Sequence, residues 1–169
     1  MEQVKRNKTT FCRLINENRG IIHKIAMVYT NTPDDRNDLF QAICLQLWKS
    51  FGNFNEQSEF STWLYRVALN TAISDIRKKK RRIKYEPLRD IDKPQENQDV
   101  NRDRLRIMRR AITMLNRIDK ALILLWLEEK SYEEIAQIVG MTTKNVSVRL
   151  VRIKKKLTGM VKSTINPEL

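Results

Sequence analysis

The sequence predicts an all-α protein: two small helical domains joined by a flexible acidic linker. Three observations carry this reading. Apolar residues recur at spacings of three and four, while strand alternation and Asn-Gly hairpin signals do not occur. Charge is distributed in blocks: residues 1–85 hold 16 basic and 8 acidic side chains, residues 86–103 hold 3 and 6, and residues 104–169 hold 14 and 6, within a formal total of +13. The middle block, with Pro87, Pro94, amides and acids but almost no apolar side chains, cannot bury enough surface to offset the entropy of ordering it.

The first domain, 1–85, reads as helices near 7–29, 34–50 and 59–82. Thr32-Pro33-Asp34-Asp35 supplies a cap, a proline for the first turn and acids at the positive end of the second helix. Leu39, Ile43 and Leu47 then recur every four residues, with Phe40, Cys44 and Trp48 one step round. A stripe that wide can serve a core and a partner surface together. Gly52-Asn53-Phe54-Asn55 breaks the helix. In the third helix, Leu64 with Ala68 and Trp63 with Val67 have core spacing, so Tyr65, Asn70 and the basic end are expected largely on the surface. That end, Arg77-Lys78-Lys79-Lys80-Arg81-Arg82, holds more like charge than a helix dipole alone would favour. Aromatic rings beside a basic stripe suit single-stranded nucleic acid, since cations follow phosphates while π faces receive unstacked bases.

The second domain, 104–169, reads as helices at 104–118, 119–130, 131–139 and 143–158. Ser131 and Glu134 form a capping box, Ile135, Ala136 and Val139 an apolar face, and Gly140 a left-handed C-cap. Thr142 or Thr143 caps the next helix, whose buried stripe is Val146, Leu150, Ile153 and Leu157. Its other faces carry Lys144, Asn145, Ser147, Arg149, Arg152, Lys154, Lys155 and Lys156, with Val148 and Val151 also off the stripe. This is a helix-turn-helix pattern; the plainer reading is an αα-hairpin with a charged exterior. In the major groove, Arg and Asn make bidentate contacts to guanine and adenine.

Much is excluded. The longest apolar run, Ala121–Leu127, is far short of the roughly 20 residues of a membrane span. The polar N-terminus has no signal-peptide segment, and a soluble cytosolic protein is expected. Cys12 and Cys44 sit at apolar helical positions and read as packing, and His23 as a surface or satisfied residue. No metal site, cofactor or catalytic motif is expected, so the protein reads as a non-enzyme with a polyanionic partner.

Asp38-Leu-Phe-Gln-Ala-Ile-Cys-Leu-Gln-Leu-Trp, Phe60-Ser-Thr-Trp-Leu-Tyr-Arg-Val-Ala-Leu-Asn and Ser131-Tyr-Glu-Glu-Ile-Ala-Gln-Ile-Val-Gly occur in this order. Together they resemble the bacterial extracytoplasmic-function sigma factors, two-domain alternative sigma subunits of RNA polymerase. The resemblance covers about residues 10–82 and 104–158. It implies that 1–85 is sigma region 2, which binds polymerase and reads and melts the −10 element. It implies that 104–169 is sigma region 4, which reads the −35 element, and that 86–103 threads toward the RNA exit path. Asp38, Leu39, Gln41, Gln46 and Trp48 would dock on the polymerase β′ clamp, with the β flap a further contact of the machine. The loop from Asn53 through Asn55 to Glu59 would capture a flipped −10 base, with Trp63 and Asn70 at or beneath the pocket and Arg77, Lys78 and Arg81 on phosphates. Lys144, Asn145, Ser147, Arg149 and Arg152 would read −35. An anti-sigma factor is a further implied partner, and membrane insertion is not expected. The chain departs from the family at Ala42, where Glu is usual, and at Ser147 and Val148, where a basic residue and Ser are frequent. Two other classes of function remain open on the residues: an operator-binding helix-turn-helix regulator, and a basic helical protein binding RNA or a membrane surface. The aromatic and six-cation features of the third helix favour the sigma reading over a sensing or dimerising domain.

Overall fold

The computed structural model describes residues 8–55, 57–82 and 100–165, with side chains at 76–82, 100–104 and 165 outside the description. It divides into two compact units, Met1–Pro87 and Leu88–Leu169. The described residues are helical apart from short connections and one 3₁₀ turn.

Unit 1 is three mutually packed helices: α1 (Lys8–Tyr29), α2 (Pro33–Ser50) and α3 (Phe60–Arg82). Ile22 with Ala26, and Ile25 with Tyr29, lie one turn apart and give α1 its buried face. Pro33 occupies the first turn of α2, where its missing N–H costs nothing, and the Thr32 hydroxyl accepts from the Asp35 N–H at 3.1 Å. Leu39, Ile43 and Leu47 are the buried stripe of α2, as their spacing predicts. Phe51–Asn53 form the 3₁₀ turn that ends the helix, and Phe51 and Phe54 turn inward. Around them lies an aromatic cluster. Phe11 meets Trp48 and Phe51 at 5.0 and 5.2 Å between ring centroids, and Trp63 meets Phe54 and Phe60 at 5.2 and 5.4 Å.

Two expectations for unit 1 are corrected. Tyr65 is only 2 % exposed. It lies four residues before Leu69 and beside Leu64, so it shares the broad face formed by Leu64, Ala68, Leu69 and Ala72. Cys12 is exposed rather than packed. Cys44 is half-buried, and burial pushes its thiol pKa up, away from the reactive thiolate. His23 is exposed and stacks on Phe40, with centroids 4.5 Å apart.

Unit 2 comprises α4 (Val100–Thr113), α5 (Arg117–Leu127), α6 (Tyr132–Val139) and α7 (Thr143–Ile165). α7 packs on the other three through Val146, Leu150, Ile153 and Leu157. α5 packs against α6 and α7, with Ala121, Leu122, Ile123, Leu124 and Leu125 buried in succession. The predicted break at 118/119 shifts. Asn116 is an N-cap whose side chain accepts from the N–H groups of Ile118 and Asp119, so α4 stops at Thr113 and α5 starts at Arg117. α5 also ends earlier than expected: Glu129 adopts a φ of 58° and the Lys130 N–H reaches the Leu125 carbonyl. Residues 100–103, read as the end of the linker, belong to α4; the remaining linker positions, 86–99, lie outside the described residues. α7 runs seven residues past its predicted end.

The turn between α6 and α7 forms as its chemistry dictates. Ser131 and Glu134 make both bonds of the capping box, at 3.2 and 2.8 Å. Gly140 takes the left-handed conformation at φ 70° and ψ 41°. Of the two threonines, Thr142 is the cap, accepting from the Asn145 N–H at 3.3 Å.

Candidate functional site

Successive residues of an α-helix turn by about 100°. On α2 this places Asp38, Gln41, Leu45 and Trp48 along one exposed face, opposite the buried stripe. Leu45 is 54 % exposed and Trp48 is 46 % exposed, an apolar pair on a helix whose other large apolar residues are covered or half-covered. Leu45 was not anticipated; its signal in the sequence was an apolar residue off the core stripe. Leu39, by contrast, is 1 % exposed and belongs to the core, so it supports this face from beneath.

Gln46 is exposed at the edge of α2 nearest α3. It lines a groove with Leu45, Ser50, Asn70, Thr71 and Ser74. Gln46 and Asn70, read from sequence as serving different partners, thus share one depression. Asn53 and Asn55 are exposed in the connection to α3, which the buried Phe54 anchors. Trp63 is half-buried against Phe51, Phe54 and Phe60, so it braces that connection from within the aromatic cluster. Arg77, Lys78 and Arg81 lie in the last turns of α3, with their side chains outside the description.

In unit 2, Lys144, Asn145, Arg149 and Arg152 line one groove along the N-terminal half of α7, joined by Val148 and Lys156. No acidic residue occurs in α7. Ser147 is not among the groove residues: two steps from Asn145 turn it by about 200°, toward the other side of the helix. Val148 and Val151 are exposed, as expected from their position off the buried stripe. Lys154 is held over the Trp126 ring at 4.7 Å.

The groove contains one acid, and it comes from another helix. Asp119 of α5 accepts from Arg149 Nε at 2.8 Å, with the two side chains 14 % and 39 % exposed. Sequence reasoning missed Asp119, because a pairing across 30 residues leaves no periodic trace. At the preceding turn, the Glu134 carboxyl lies below its usual pKa of 4.5, chiefly because Lys130 bonds to it and secondarily through the Ser131 N–H.

The family description Sigma-70 region 2 matches residues 14–82, and Sigma-70, region 4 matches residues 105–157. The ECF RNA polymerase sigma-E factor of Escherichia coli is 30 % identical over 160 residues, covering 85 % of this chain and 83 % of the relative. The chain belongs to the ECF sigma factors. Its counterpart in Haemophilus influenzae is 28 % identical over 176 residues, covering 95 % and 90 % of the two chains. RNA polymerase sigma factor SigV of Bacillus subtilis is 26 % identical over 158 residues, covering 92 % and 93 %. Among solved structures, the sigma factor RpoE of Bartonella quintana, in complex with the anti-sigma factor NepR, superposes with a TM-score of 0.72 at 22 % identity, covering 90 % of this chain and 96 % of the other. CnrH, in complex with the cytosolic domain of CnrY, gives 0.67 at 20 % identity, covering 93 % and 90 %. This ECF sigma factor is therefore an alternative sigma factor that directs transcription initiation with core RNA polymerase at promoter DNA. No described helix is long and apolar enough to cross a membrane.

Proposed function

We propose that the two units divide promoter recognition between them, with 1–85 acting as the polymerase-docking and −10-melting module and 104–169 as the −35-reading module. The observation that carries this is the pairing of two unlike surfaces on one chain: an apolar, exposed Leu45–Trp48 face on α2, and an open groove lined by Asn145, Arg149 and Arg152 on α7. The first is suited to a protein partner, where a buried tryptophan is a frequent anchor. The second is suited to base edges in the major groove.

In this reading α2 docks on the β′ clamp through Asp38, Gln41, Gln46 and Trp48. Asn53 and Asn55 receive a flipped −10 base, with Trp63 bracing the loop, Asn70 contributing from the groove it shares with Gln46, and Arg77, Lys78 and Arg81 on the phosphates. Unstacking costs a few kcal/mol per flipped base. Stacking of an unpaired base on an aromatic ring returns about 1–3 kcal/mol, so pocket and phosphate contacts together tip the balance. Lys144, Asn145, Arg149 and Arg152 form the −35-reading face, Lys144 through phosphate, with Ser147 at its margin, and polymerase, through its β flap, holds unit 2 at the correct spacing. In this reading the linker, shortened by the four residues that join α4, threads toward the RNA exit path of polymerase. Tethering on polymerase raises the effective concentration of each weak reader for its element.

The sigma factor acts in the cytoplasm and carries out no chemistry of its own. An anti-sigma factor is a further partner, as the solved complexes of RpoE with NepR and CnrH with CnrY suggest by analogy, and in this reading it covers the polymerase-docking face. The test is in vitro transcription with the full chain, core polymerase and the promoter of its own operon. A promoter-specific transcript is expected. Its absence, with duplex binding intact, would favour an operator-binding regulator.

A further inference from the structure

We infer that Asp119 is a positioning residue for base reading: it holds Arg149 by Nε so that the two terminal Nη groups face the groove as a preset fork for guanine. The inference rests on the reading of α7 as the duplex-reading helix.

The geometry is a relay of hydrogen bonds that begins at the backbone. The N-terminus of α5 fixes Asn116, whose Oδ1 accepts from the N–H groups of Ile118 and Asp119 at 3.1 and 2.9 Å. Asn116 Nδ2 in turn donates to Asp119 Oδ2 at 2.6 Å, and Asp119 Oδ1 accepts from Arg149 Nε at 2.8 Å. Both carboxylate oxygens are engaged, so Asp119 has little rotational freedom.

What this leaves of the arginine is decisive. Bidentate recognition of guanine O6 and N7 uses two N–H donors of one planar guanidinium. A carboxylate bonded at Nη1 and Nη2 would block that use; one bonded at Nε does not. Among the described residues no acceptor sits on either Nη group of Arg149. An unheld arginine would lose rotamer freedom on binding, and the relay removes that loss in advance. It also accounts for a carboxylate in a groove otherwise lined with Lys144, Arg152 and Lys156, where it would repel phosphate. The packing of α5 on α7 does not require the pair, since Leu122, Leu125, Val146 and Leu150 are fully buried between the helices of this unit.

The test uses the full chain and a duplex library randomised over its central base pairs. Wild type should enrich duplexes with a fixed guanine, and replacing that guanine by 7-deazaguanine, which lacks the N7 acceptor, should weaken binding about tenfold. In Asp119→Ala the same replacement should cost less than about threefold. Asp119→Asn, which keeps an acceptor for Nε, should retain most of the discrimination. Adding Asp119→Ala to Arg149→Ala should cause no further loss, because the two residues act as one device. Unchanged discrimination in Asp119→Ala overturns the inference. So does an equal loss on guanine and 7-deazaguanine duplexes with a lowered Tm, which reduces the pair to a brace, and so does enrichment without any fixed guanine. Failure of the sigma reading shows up separately, as a missing promoter-specific transcript from the wild-type chain.

Discussion

The rings of Phe11 and Trp48 meet edge to face with centroids 5.0 Å apart, one buried in the first turn of α1 and the other from the exposed face of α2. Trp48 therefore has two jobs that mutation separates. Trp48→Ala should cost about 1 kcal/mol of unit 1 stability, the value of one aromatic pair. It should cost about 2 kcal/mol or more of affinity for core polymerase, as expected of an interface anchor. Phe11→Ala should show the reverse balance, losing about 3 kcal/mol of stability as a core truncation. Thermal unfolding and a polymerase-binding titration on the same variants check both halves.

Leu39 and Gln46 provide a second contrast on α2. Leu39→Ala should destabilise unit 1 by about 3 kcal/mol, since it empties a buried site. Gln46→Ala should leave Tm within a degree or two of wild type, because the side chain is exposed, while weakening polymerase binding. If Gln46→Ala binds polymerase as wild type does, the groove it shares with Asn70 is not part of the docking surface.

Gly140 permits a test of backbone strain without steric interference. A Cβ built there meets nothing within 4 Å, so the penalty of Gly140→Ala should come from φ 70° alone. That predicts a loss of about 1 kcal/mol. Gly140→Asn should lose less, since asparagine tolerates the left-handed region. Denaturant unfolding of the full chain followed by circular dichroism measures both.

The capping box carries a pH signature. The Glu134 carboxyl has a folded pKa below its ordinary 4.5, so the stability it adds is present above that ordinary value and is lost as pH falls through the lower folded one. Wild type should thus lose more stability on acidification below 4.5 than Glu134→Gln does, with the two parallel at neutral pH. The carboxyl lies at the surface, where solvent screens its partners, so the effect is small. Ser131→Ala should cost about 1 kcal/mol at neutral pH, by removing the acceptor for the Glu134 N–H.

Salt should distinguish charge from reading on α7. Lys144→Ala should weaken duplex binding to all sequences and flatten the slope of log K against log salt by about 0.9. Asn145→Ala should leave that slope unchanged and relax preference at one base pair. Fluorescence anisotropy across a salt series separates the two.

The helix-turn-helix was legible because its information is local: Ser131, Glu134, Gly140 and Thr142 each act within four residues of their partners. The α2 and α7 stripes were legible because burial repeats with helical period. Two kinds of feature were not. Asn116 was hidden because an asparagine between Leu115 and Arg117 looks like a polar step on a continuing helix; only its bonds to Ile118 and Asp119 reveal a start. The pairing of Asp119 with Arg149 depends on which helix lies alongside, a fact of tertiary packing that spacing within one helix does not contain, whereas Tyr65 was missed because the buried face of α3 is broader than the two rows read from the sequence.

Ala121 through Leu125 sweep more than a full circle around their helix axis without reaching solvent. A segment enclosed on all sides is shared property: α6 and α7, which pack on it, cannot loosen without opening it, and α7 also holds α4. The C-terminal unit should accordingly melt in a single step, and silencing its grip on a gene by slackening α7 alone would be costly. Shielding the surface from outside is the cheaper means of control.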